Sequence, residues 1–512
     1  MKRKAKFYLN GALLTAVNLG LRGVALYFAA YISRAIGAEG VGLNTLVMTL
    51  YAFAVTLAGS GISLSVTRLV AASLAEADSS KTGGILKGAF LYSTLFGLGS
   101  MAVLYFLSDL FAASVLHYPE ASTCLKALAF SLPPVAYGGV IYGYFVGVRR
   151  VSKNALVQVF SQFFRIGITV FLIAIYAPKG PASSVLAISF GALIAEWASF
   201  FLSFSVFLFD IRSRRRAGRA EFRAVAEMAL PLAVSTYVRS LLLTLEHSLI
   251  PKRLMDRGEG ASEALSSYGI LHGMALPLIL FPLAPLSSFS GLLVPEFAEE
   301  EARSKGRRMS YIATLATERT LAYATVTAVL IFFFSEELGY LVYNSYEAGS
   351  FIAFLAPVLP IMYLDHVVDG ILKGIGEQVY SMWVNIADSL LSVLLVCFLI
   401  PIMGITGYAV VIIGMEAFNF FFSVSRLLKR ISFRISLMRS FALPLLSSVG
   451  AVLLTDILFI REGSGATVLL LVTKLIFALS LTVLLLSLVG IISAASGKNP
   501  CKKSKVQNVI DQ

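Results

Sequence analysis

Fourteen long apolar segments limit what this chain can fold into. A helix that crosses a bilayer needs about 20 mostly apolar residues, because the hydrocarbon layer is about 30 Å thick. The chain is 57% hydrophobic and 14% charged, whereas soluble proteins carry about 25% charged residues. The segments fall near residues 8–32, 44–66, 86–108, 124–147, 155–177, 183–209, 224–250, 267–294, 311–335, 351–372, 379–401, 404–425, 438–460 and 466–492. The sequence therefore predicts an all-α polytopic membrane protein with about 14 transmembrane helices.

One basic stretch, residues 210–223, divides these segments into six and eight. It contains six arginines, and loops rich in Lys and Arg stay on the cytoplasmic side of a membrane. Basic runs also occur in nucleic-acid-binding patches, but the apolar segments on both sides favour a membrane loop. If this loop is cytoplasmic, the turn that holds Glu336, Glu337 and Glu347 lies on the outer side of the membrane. The pattern predicts that both termini are cytoplasmic.

The two halves of the chain contain an internal repeat. A single constant shift aligns 128–173 with 355–400 without a gap, and 11 of the 46 aligned positions are identical. The identical positions include a Leu-Pro pair and two glycines in each half, which apolar composition alone does not explain. The shift covers six helices, an even number, so equivalent helices cross the membrane in the same direction. The sequence therefore predicts two six-helix lobes, related by an axis along the membrane normal, and an additional C-terminal helix pair.

The predicted domains follow from these boundaries. They are an N-terminal lobe (1–209), a basic cytoplasmic linker (210–223), a C-terminal lobe (224–430), an extra helix pair (431–495) and a basic cytoplasmic tail (496–512). The N-terminus begins like a signal peptide, but its apolar part is long and is interrupted by Arg22, so we expect a retained helix. The three cysteines form no disulfide framework or metal spacing, and no cofactor or metal is predicted.

Cations inside the apolar helices are candidates for substrate binding, because a buried charge is costly in a bilayer. Arg22 in the first helix and Arg239 in the seventh occupy comparable places in the two halves. A guanidinium binds phosphate oxygens in pairs, so two such cations at a shared cavity would suit a phosphate or pyrophosphate. The alternative is that they form ion pairs that hold helices together. Arg68 could line the inner mouth of the cavity or anchor its helix at the interface.

Acidic and imidazole groups in the spans are candidates for ion coupling. Glu196 in the sixth helix and Glu416 in the twelfth each precede a Phe-Phe pair by four residues. Asp365, Asp369 and Lys373 recur every four residues and, with the adjacent His366, form a polar stripe on the tenth helix, which the first half lacks. A carboxylate and a histidine together could couple transport to protons or sodium. The alternative for all five residues is a set of structural salt bridges.

Motifs of soluble catalysis are absent from the sequence. It contains no GxxxxGK[ST], HExxH or GxSxG pattern, and no long outer loop carries paired acids. The sequence therefore predicts a transporter rather than an enzyme, and its energy must come from a gradient or from the substrate concentration.

Three stretches, residues 31–78, 230–254 and 370–377, resemble one branch of the multidrug, oligosaccharidyl-lipid and polysaccharide (MOP) flippase superfamily. That branch contains the polysaccharide transporters and proteins similar to stage V sporulation protein B. The resemblance implies alternating-access flipping of an undecaprenyl-pyrophosphate-linked saccharide across the bacterial cytoplasmic membrane. The cargo it implies is a lipid II-like precursor of peptidoglycan or spore cortex, or a polysaccharide repeat unit.

The related MurJ lipid II flippases carry several arginines in a central cavity, and Arg22 is similar in position to one of them. Phe28 stands where another arginine is found, and His272 is the polar residue nearest to a third position. Arg239 could replace the missing cation. The predicted substrate-binding residues are therefore Arg22, Arg239, Arg68 and His272.

Two other functions fit parts of the sequence. A cation-coupled multidrug or small-molecule extruder of the same superfamily would need an acidic cavity, and the arginines argue against one. A non-transporting scaffold for cell-wall synthesis would tolerate substitution of the cavity charges and depend on the basic loops. The predicted partners are an undecaprenyl-linked lipid, membrane lipids, H⁺ or Na⁺ and cell-wall synthesis enzymes, without nucleic acid.

Overall fold

The computed structural model describes residues 2–59, 61–75, 79–148, 150–176, 180–211, 220–302, 306–433, 435–459 and 468–495. Most of the predicted linker (212–219) and the predicted tail (496–512) lie outside this part of the chain. The α-helices are α1 (Lys2–Gly59), α2 (Ile62–Ala75), α3 (Ser79–Phe106), α4 (Ser108–Leu110), α5 (Ala121–Ala129), α6 (Leu132–Gly147), α7 (Val151–Tyr176), α8 (Pro181–Ile211), α9 (Phe222–Asp256), α10 (Ala261–Tyr268), α11 (Leu276–Leu280), α12 (Ala284–Ala302), α13 (Gly306–Phe333), α14 (Ser335–Tyr343), α15 (Tyr346–Leu355), α16 (Leu359–Gly374), α17 (Gln378–Met403), α18 (Ile405–Arg430), α19 (Leu443–Phe459) and α20 (Val468–Ala495).

The prediction of an all-α polytopic membrane protein is confirmed. Eleven helices among the described residues are long and apolar enough to cross a membrane, or up to 13 if each of two bent pairs is one span. The predicted count of fourteen is not confirmed. The first two predicted segments form one apolar run, Gly20–Leu74, which is 55 residues long. That run is broken at Gly37, whose φ of 70° lies in the left-handed region that favours glycine.

The internal repeat is visible in the helix boundaries. The shift that aligns 128–173 with 355–400 also carries both ends of α6 onto the ends of α16, and both ends of α7 onto the ends of α17. Matched glycines make matched contacts. A Cβ on Gly143 would come within 2.5 Å of the Ser63 carbonyl oxygen on α2, and a Cβ on Gly370 would overlap Ser290 Oγ on α12. A Cβ at either position would force its neighbour to move, and at Gly143 that neighbour is backbone. Glycine thus lets α6 approach α2 closely, and its repeat equivalent lets α16 approach α12.

Contacts divide the chain into two compact units. The first contains Met1–Ser288 and Gln378–Asn419, and the second contains Phe289–Glu377 and Phe420–Gln512. These boundaries do not coincide with the predicted lobes, whose division at the basic linker stays a prediction. The first unit has an apolar core formed by α2, α3, α6, α8 and the start of α9.

A buried carboxylate holds the loop between α6 and α7 in the first unit. Asp210 at the end of α8 is fully buried, accepts a hydrogen bond of 2.9 Å from Tyr144 Oη and pairs with Arg150 and Lys153. Removing any partner would leave a buried charge under-compensated. The loop between α6 and α7 is therefore held against the end of α8.

The second unit contains a related arrangement with the charges reversed. Glu377, between α16 and α17, is buried and accepts hydrogen bonds from Arg426 Nη2 at 2.8 Å and from Arg430 Nε. The repeat alignment pairs Glu377 with Arg150. Arg150, in the loop after α6, thus bonds to the end of α8. Glu377, in the equivalent loop after α16, bonds to the end of α18.

Candidate functional site

A cavity of about 520 Å³ lies beside Arg22 in the first unit. Its lining comes from α1, α7 and α12, and consists of Leu21, Arg22, Ala25, Gln162, Ala284, Ser287 and Ser288. Arg22 is exposed, and within the described part of the chain it makes no ion pair. The cavity is within the size range of small-molecule sites, and it presents a guanidinium without a counter-charge.

A second cavity, of about 290 Å³, lies along α7. Its lining is Leu21, Val157, Gln158, Ser161, Gln162 and Arg165, and it shares Leu21 and Gln162 with the first cavity. The four polar residues recur at the spacing that places side chains on one helix face. We call this set, Gln158, Ser161, Gln162 and Arg165, the α7 stripe.

Glu196 neutralises the positive charge of Arg165 in the α7 stripe. Its carboxylate forms an ion pair with the guanidinium of Arg165, and its side chain is only 22% exposed. The structure therefore places this predicted ion-coupling residue in a salt bridge between α7 and α8. Arg165 is neutralised by this pair, which leaves Arg22 as the cation available to a ligand in these two cavities.

Arg239 lies on α9 in a different setting from Arg22. It is exposed and interacts electrostatically with Asp388 of α17. Asp388 also hydrogen-bonds to Asn419, and its buried Oδ1 atom has no hydrogen-bond partner in the part of the chain that the structure describes. The second predicted cation thus has an acidic neighbour that Arg22 lacks.

The polar face of α17 is the repeat counterpart of the α7 stripe. The repeat alignment pairs its four members with Asn385, Asp388, Ser389 and Ser392, and we call these the α17 stripe. Ser392 Oγ donates a hydrogen bond of 2.7 Å to Glu246 Oε1 on α9. Glu246 is 8% exposed and interacts electrostatically with Asp388. Neither acid is among the residues predicted from sequence, although the repeat shift applied to Ser161 leads to Asp388.

His272 lies in the π-helical segment Gly269–Ala275, among aromatic rings. Its ring centroid is 4.2 Å from that of His247 and 5.4 Å from that of Tyr268, on which it stacks. Its Nδ1 atom is buried and has no hydrogen-bond partner among the described residues. The residue is absent from the linings of the two cavities above, and its predicted role as a substrate ligand stays a prediction.

The remaining predicted residues are spread over both units. Asp365, His366 and Asp369 belong to the second unit, where Asp369 pairs with Lys373 at 2.5 Å. Their role in coupling stays a prediction.

Arg68 is exposed on α2, and Glu416 is half-buried on α18. Both belong to the first unit, and neither lines the two cavities beside α7.

The family model for polysaccharide biosynthesis proteins matches residues 8–301, more than half of the chain. The chain belongs to this family. A second model, MatE, matches residues 258–399. The chain is 26% identical to stage V sporulation protein B of Bacillus subtilis (strain 168) over 417 residues, covering 79% of the chain and 80% of that protein. It is 22% identical to sporulation protein YkvU of the same organism over 333 residues, covering 64% and 73%.

Solved structures agree with this assignment. The lipid II flippase MurJ in an inward closed conformation superposes with a TM-score of 0.73 at 14% identity, covering 93% of this chain and 98% of that one. An inward-facing multidrug resistance MATE transporter of the MOP superfamily gives a TM-score of 0.66 at 14% identity, covering 82% and 99%. The predicted membership of the MOP flippase superfamily is confirmed, and the protein is a multi-pass membrane protein.

Proposed function

We propose that this protein flips a pyrophosphate-linked saccharide lipid from the inner to the outer leaflet of the bacterial cytoplasmic membrane. The observation that carries the proposal is the cavity beside Arg22, where an uncompensated guanidinium lies in a membrane-spanning stretch. A charge at that depth is costly and needs a counter-charge. A phosphate supplies one and can accept two parallel hydrogen bonds from arginine. Lipid II, the cargo named for the structurally similar flippase MurJ, is a lipid of the same class.

In the proposed mechanism, the two repeats alternate in opening the cavity to either leaflet. Arg22 holds the phosphate, Arg239 provides a second cation and Arg68 lies near the inner mouth. The undecaprenyl chain remains in the lipid, so only the polar head group has to be sheltered from the hydrocarbon. Both termini are cytoplasmic in this account, as the basic loops indicate.

We propose that H⁺ or Na⁺ coupling uses Glu246 and Asp388 rather than the acids selected from sequence. Glu196 and Asp369 are already occupied by ion pairs. Glu246 and Asp388 interact with each other, and within the described ranges Asp388 Oδ1 has no hydrogen-bond partner. Two neighbouring carboxylates at membrane depth require a shared proton or a bound cation. Asp365, His366 and Glu416 remain further candidates.

The experiment that tests the proposed function measures leaflet exposure of an undecaprenyl-pyrophosphate-linked saccharide in proteoliposomes. An added enzyme that modifies the head group reports the lipid accessible from outside. Exposure that depends on the protein supports flipping. Inserted protein that exposes none of several such lipids would contradict the proposal.

A cation-coupled extruder is the second candidate, and one observation favours it. The MatE model covers α17, and this region contributes Asp388 to the acidic pair with Glu246. An extruder would transport aromatic cations without any lipid-linked saccharide, and its transport would survive replacement of Arg22. Export of such cations by an Arg22→Ala variant would favour this second function.

A further inference from the structure

We propose that the neutral part of the α7 stripe, Gln158, Ser161 and Gln162, is a saccharide subsite that binds the sugar next to the phosphate held by Arg22. This inference rests on the proposed function and adds the residues that recognise the sugar. It assigns the two adjoining cavities to two chemical parts of one head group. The cavity beside Arg22 takes the anionic part, and the cavity along α7 takes the uncharged polyol.

The first argument is the unused hydrogen-bonding capacity of the two glutamines. Among the described residues, neither side-chain amide has a hydrogen-bond partner. Each amide offers two donors and one acceptor, and both lie within the candidate span Ser152–Tyr176. An unsatisfied amide at membrane depth costs free energy unless water or a ligand binds it. A helix that only needed to pack here would favour apolar side chains.

Serines in the two linings complement the glutamines. Ser161 Oγ donates to the Val157 carbonyl at 2.7 Å, and Ser287 Oγ donates to the Leu283 carbonyl at 3.2 Å. Their hydroxyl protons are therefore used within their own helices, and their oxygens remain available as acceptors. Together with the amides, the linings offer donors and acceptors side by side. Sugar hydroxyls and an N-acetyl group need this mixture.

The charge of the lining excludes a second phosphate from the α7 cavity. Arg165 is the only charged residue in that lining, and its charge is balanced by Glu196. A phosphate placed there would lose its hydration without gaining a free counter-charge. A neutral polyol makes no such demand. The two cavities share Leu21 and Gln162, so a head group can lie across both.

The test compares two probes with purified full-length protein in nanodiscs. One is undecaprenyl pyrophosphate, and the other is the same lipid carrying an N-acetylated disaccharide. Dissociation constants are measured for the wild type, for Gln158→Leu with Gln162→Leu, for Arg22→Ala and for Ser205→Leu. Ser205 is an exposed residue of α8 and serves as the matched polar-to-apolar control. Elution as a single species and an unchanged helical spectrum check the fold of each variant.

The double glutamine variant should bind the saccharide lipid roughly tenfold more weakly, because the hydrogen bonds from both amides to the sugar are lost. Its affinity for the sugar-free lipid should stay unchanged, whereas Arg22→Ala should weaken the binding of both lipids. Equal weakening of both lipids by the glutamine changes, or no change in either, would overturn the saccharide subsite. A wild-type protein that binds neither lipid would instead refute the proposed function, and the two failures are thus distinguishable.

Discussion

The α7 and α17 stripes occupy equivalent places in the two halves, yet they differ in charge, bonding and exposure. On α7, the glutamines have no side-chain partners in the described structure, and the stripe lines a cavity. On α17, Asn385 Nδ2 donates to the Ser381 carbonyl at 2.7 Å, Ser389 Oγ donates to the Asn385 carbonyl at 3.0 Å and Ser392 bonds to Glu246. One helix face is therefore available to a ligand, while its counterpart is largely satisfied within the protein.

Under the proposed function, the two halves bind different ligands. The first half presents an uncompensated cation and neutral amides, which suits an anionic, sugar-bearing head group. In the second half, Asp388 interacts with both Arg239 and Glu246, and the two acids suit a proton or a small cation. Exchanging the residues at positions 161 and 388 transfers a feature of one stripe to the other. Replacing Glu196 or Glu377 removes a contact that distinguishes the halves.

The largest effect is expected from Ser161→Asp, which gives the α7 stripe the acid that α17 has at the equivalent position. A carboxylate in the cavity along α7, which adjoins the cavity beside Arg22, would compete for the Arg22 guanidinium and repel the phosphate. We expect roughly a hundredfold loss of affinity for undecaprenyl pyrophosphate, because charge-assisted hydrogen bonds contribute about 1.5–3 kcal/mol. Binding in nanodiscs measures this loss. Ser161→Asn is the uncharged control, and an equal loss in that variant would show that size rather than charge is responsible.

The reverse change, Asp388→Ser, gives the α17 stripe the residue that α7 has. We expect head-group binding to change less than about threefold, while the stimulation of flipping by an H⁺ or Na⁺ gradient falls roughly tenfold, because the paired acids would be lost. Flipping rates in proteoliposomes with and without each gradient separate the two effects. Gradient stimulation that survives in Asp388→Ser would move ion coupling away from the α17 stripe.

A smaller effect is expected from Glu196→Gln, which frees Arg165 within the α7 stripe. The second available cation should raise the affinity for undecaprenyl pyrophosphate about fivefold, since exposed charge pairs contribute about 1 kcal/mol. The affinity for the saccharide lipid should rise less, because its sugar occupies that cavity. Dissociation constants for both lipids test this ranking. Weaker binding of both lipids would show that the Arg165–Glu196 pair positions α7 for the ligand.

The smallest effect concerns the charge-reversed contact at Glu377. The hydrogen bonds from Arg426 and Arg430 hold the pKa of the Glu377 carboxyl below its usual range. Its stabilising effect is therefore complete above the unfolded pKa of about 4.3 and is lost as the pH falls through the lower, folded pKa. We expect Glu377→Gln to lower the thermal midpoint by a few degrees at pH 7 and by less at acidic pH, with exposed Glu347→Gln as control. A difference that grows on acidification would contradict this assignment.

The sequence was sufficient to predict an all-α membrane protein and the repeat, because long apolar segments and matched glycines are local signals. It did not predict the number of spans, since the first two apolar segments form one run, Gly20–Leu74. Gly143 and Gly370 needed only alignment, and their shared close approaches confirm it. Arg22, which was selected from the sequence, lines a cavity, and its role as a substrate ligand stays a prediction. Pairing across helices was not predictable, because the contact between Arg165 and Glu196 depends on how α7 packs on α8.

The surroundings of His272 were also hidden in the sequence. A π-helical segment changes which side chains share a face, and it places this histidine beside His247 and Tyr268. By contrast, the acid on α17 could have been found from sequence, since the repeat shift from Ser161 leads directly to Asp388. The repeat therefore identifies Asp388 as the position at which the two halves differ in charge.

The most direct test of the account is the rate of leaflet exposure of a saccharide lipid by wild-type, Arg22→Lys and Arg22→Ala proteins, reconstituted at equal amounts. The account predicts roughly a hundredfold slower exposure with Arg22→Ala, because the phosphate loses its charged partner. With Arg22→Lys, which keeps the charge but loses the bidentate geometry, the rate should be intermediate. Exposure at the wild-type rate by correctly inserted Arg22→Ala protein would contradict the central claim that Arg22 holds the head group.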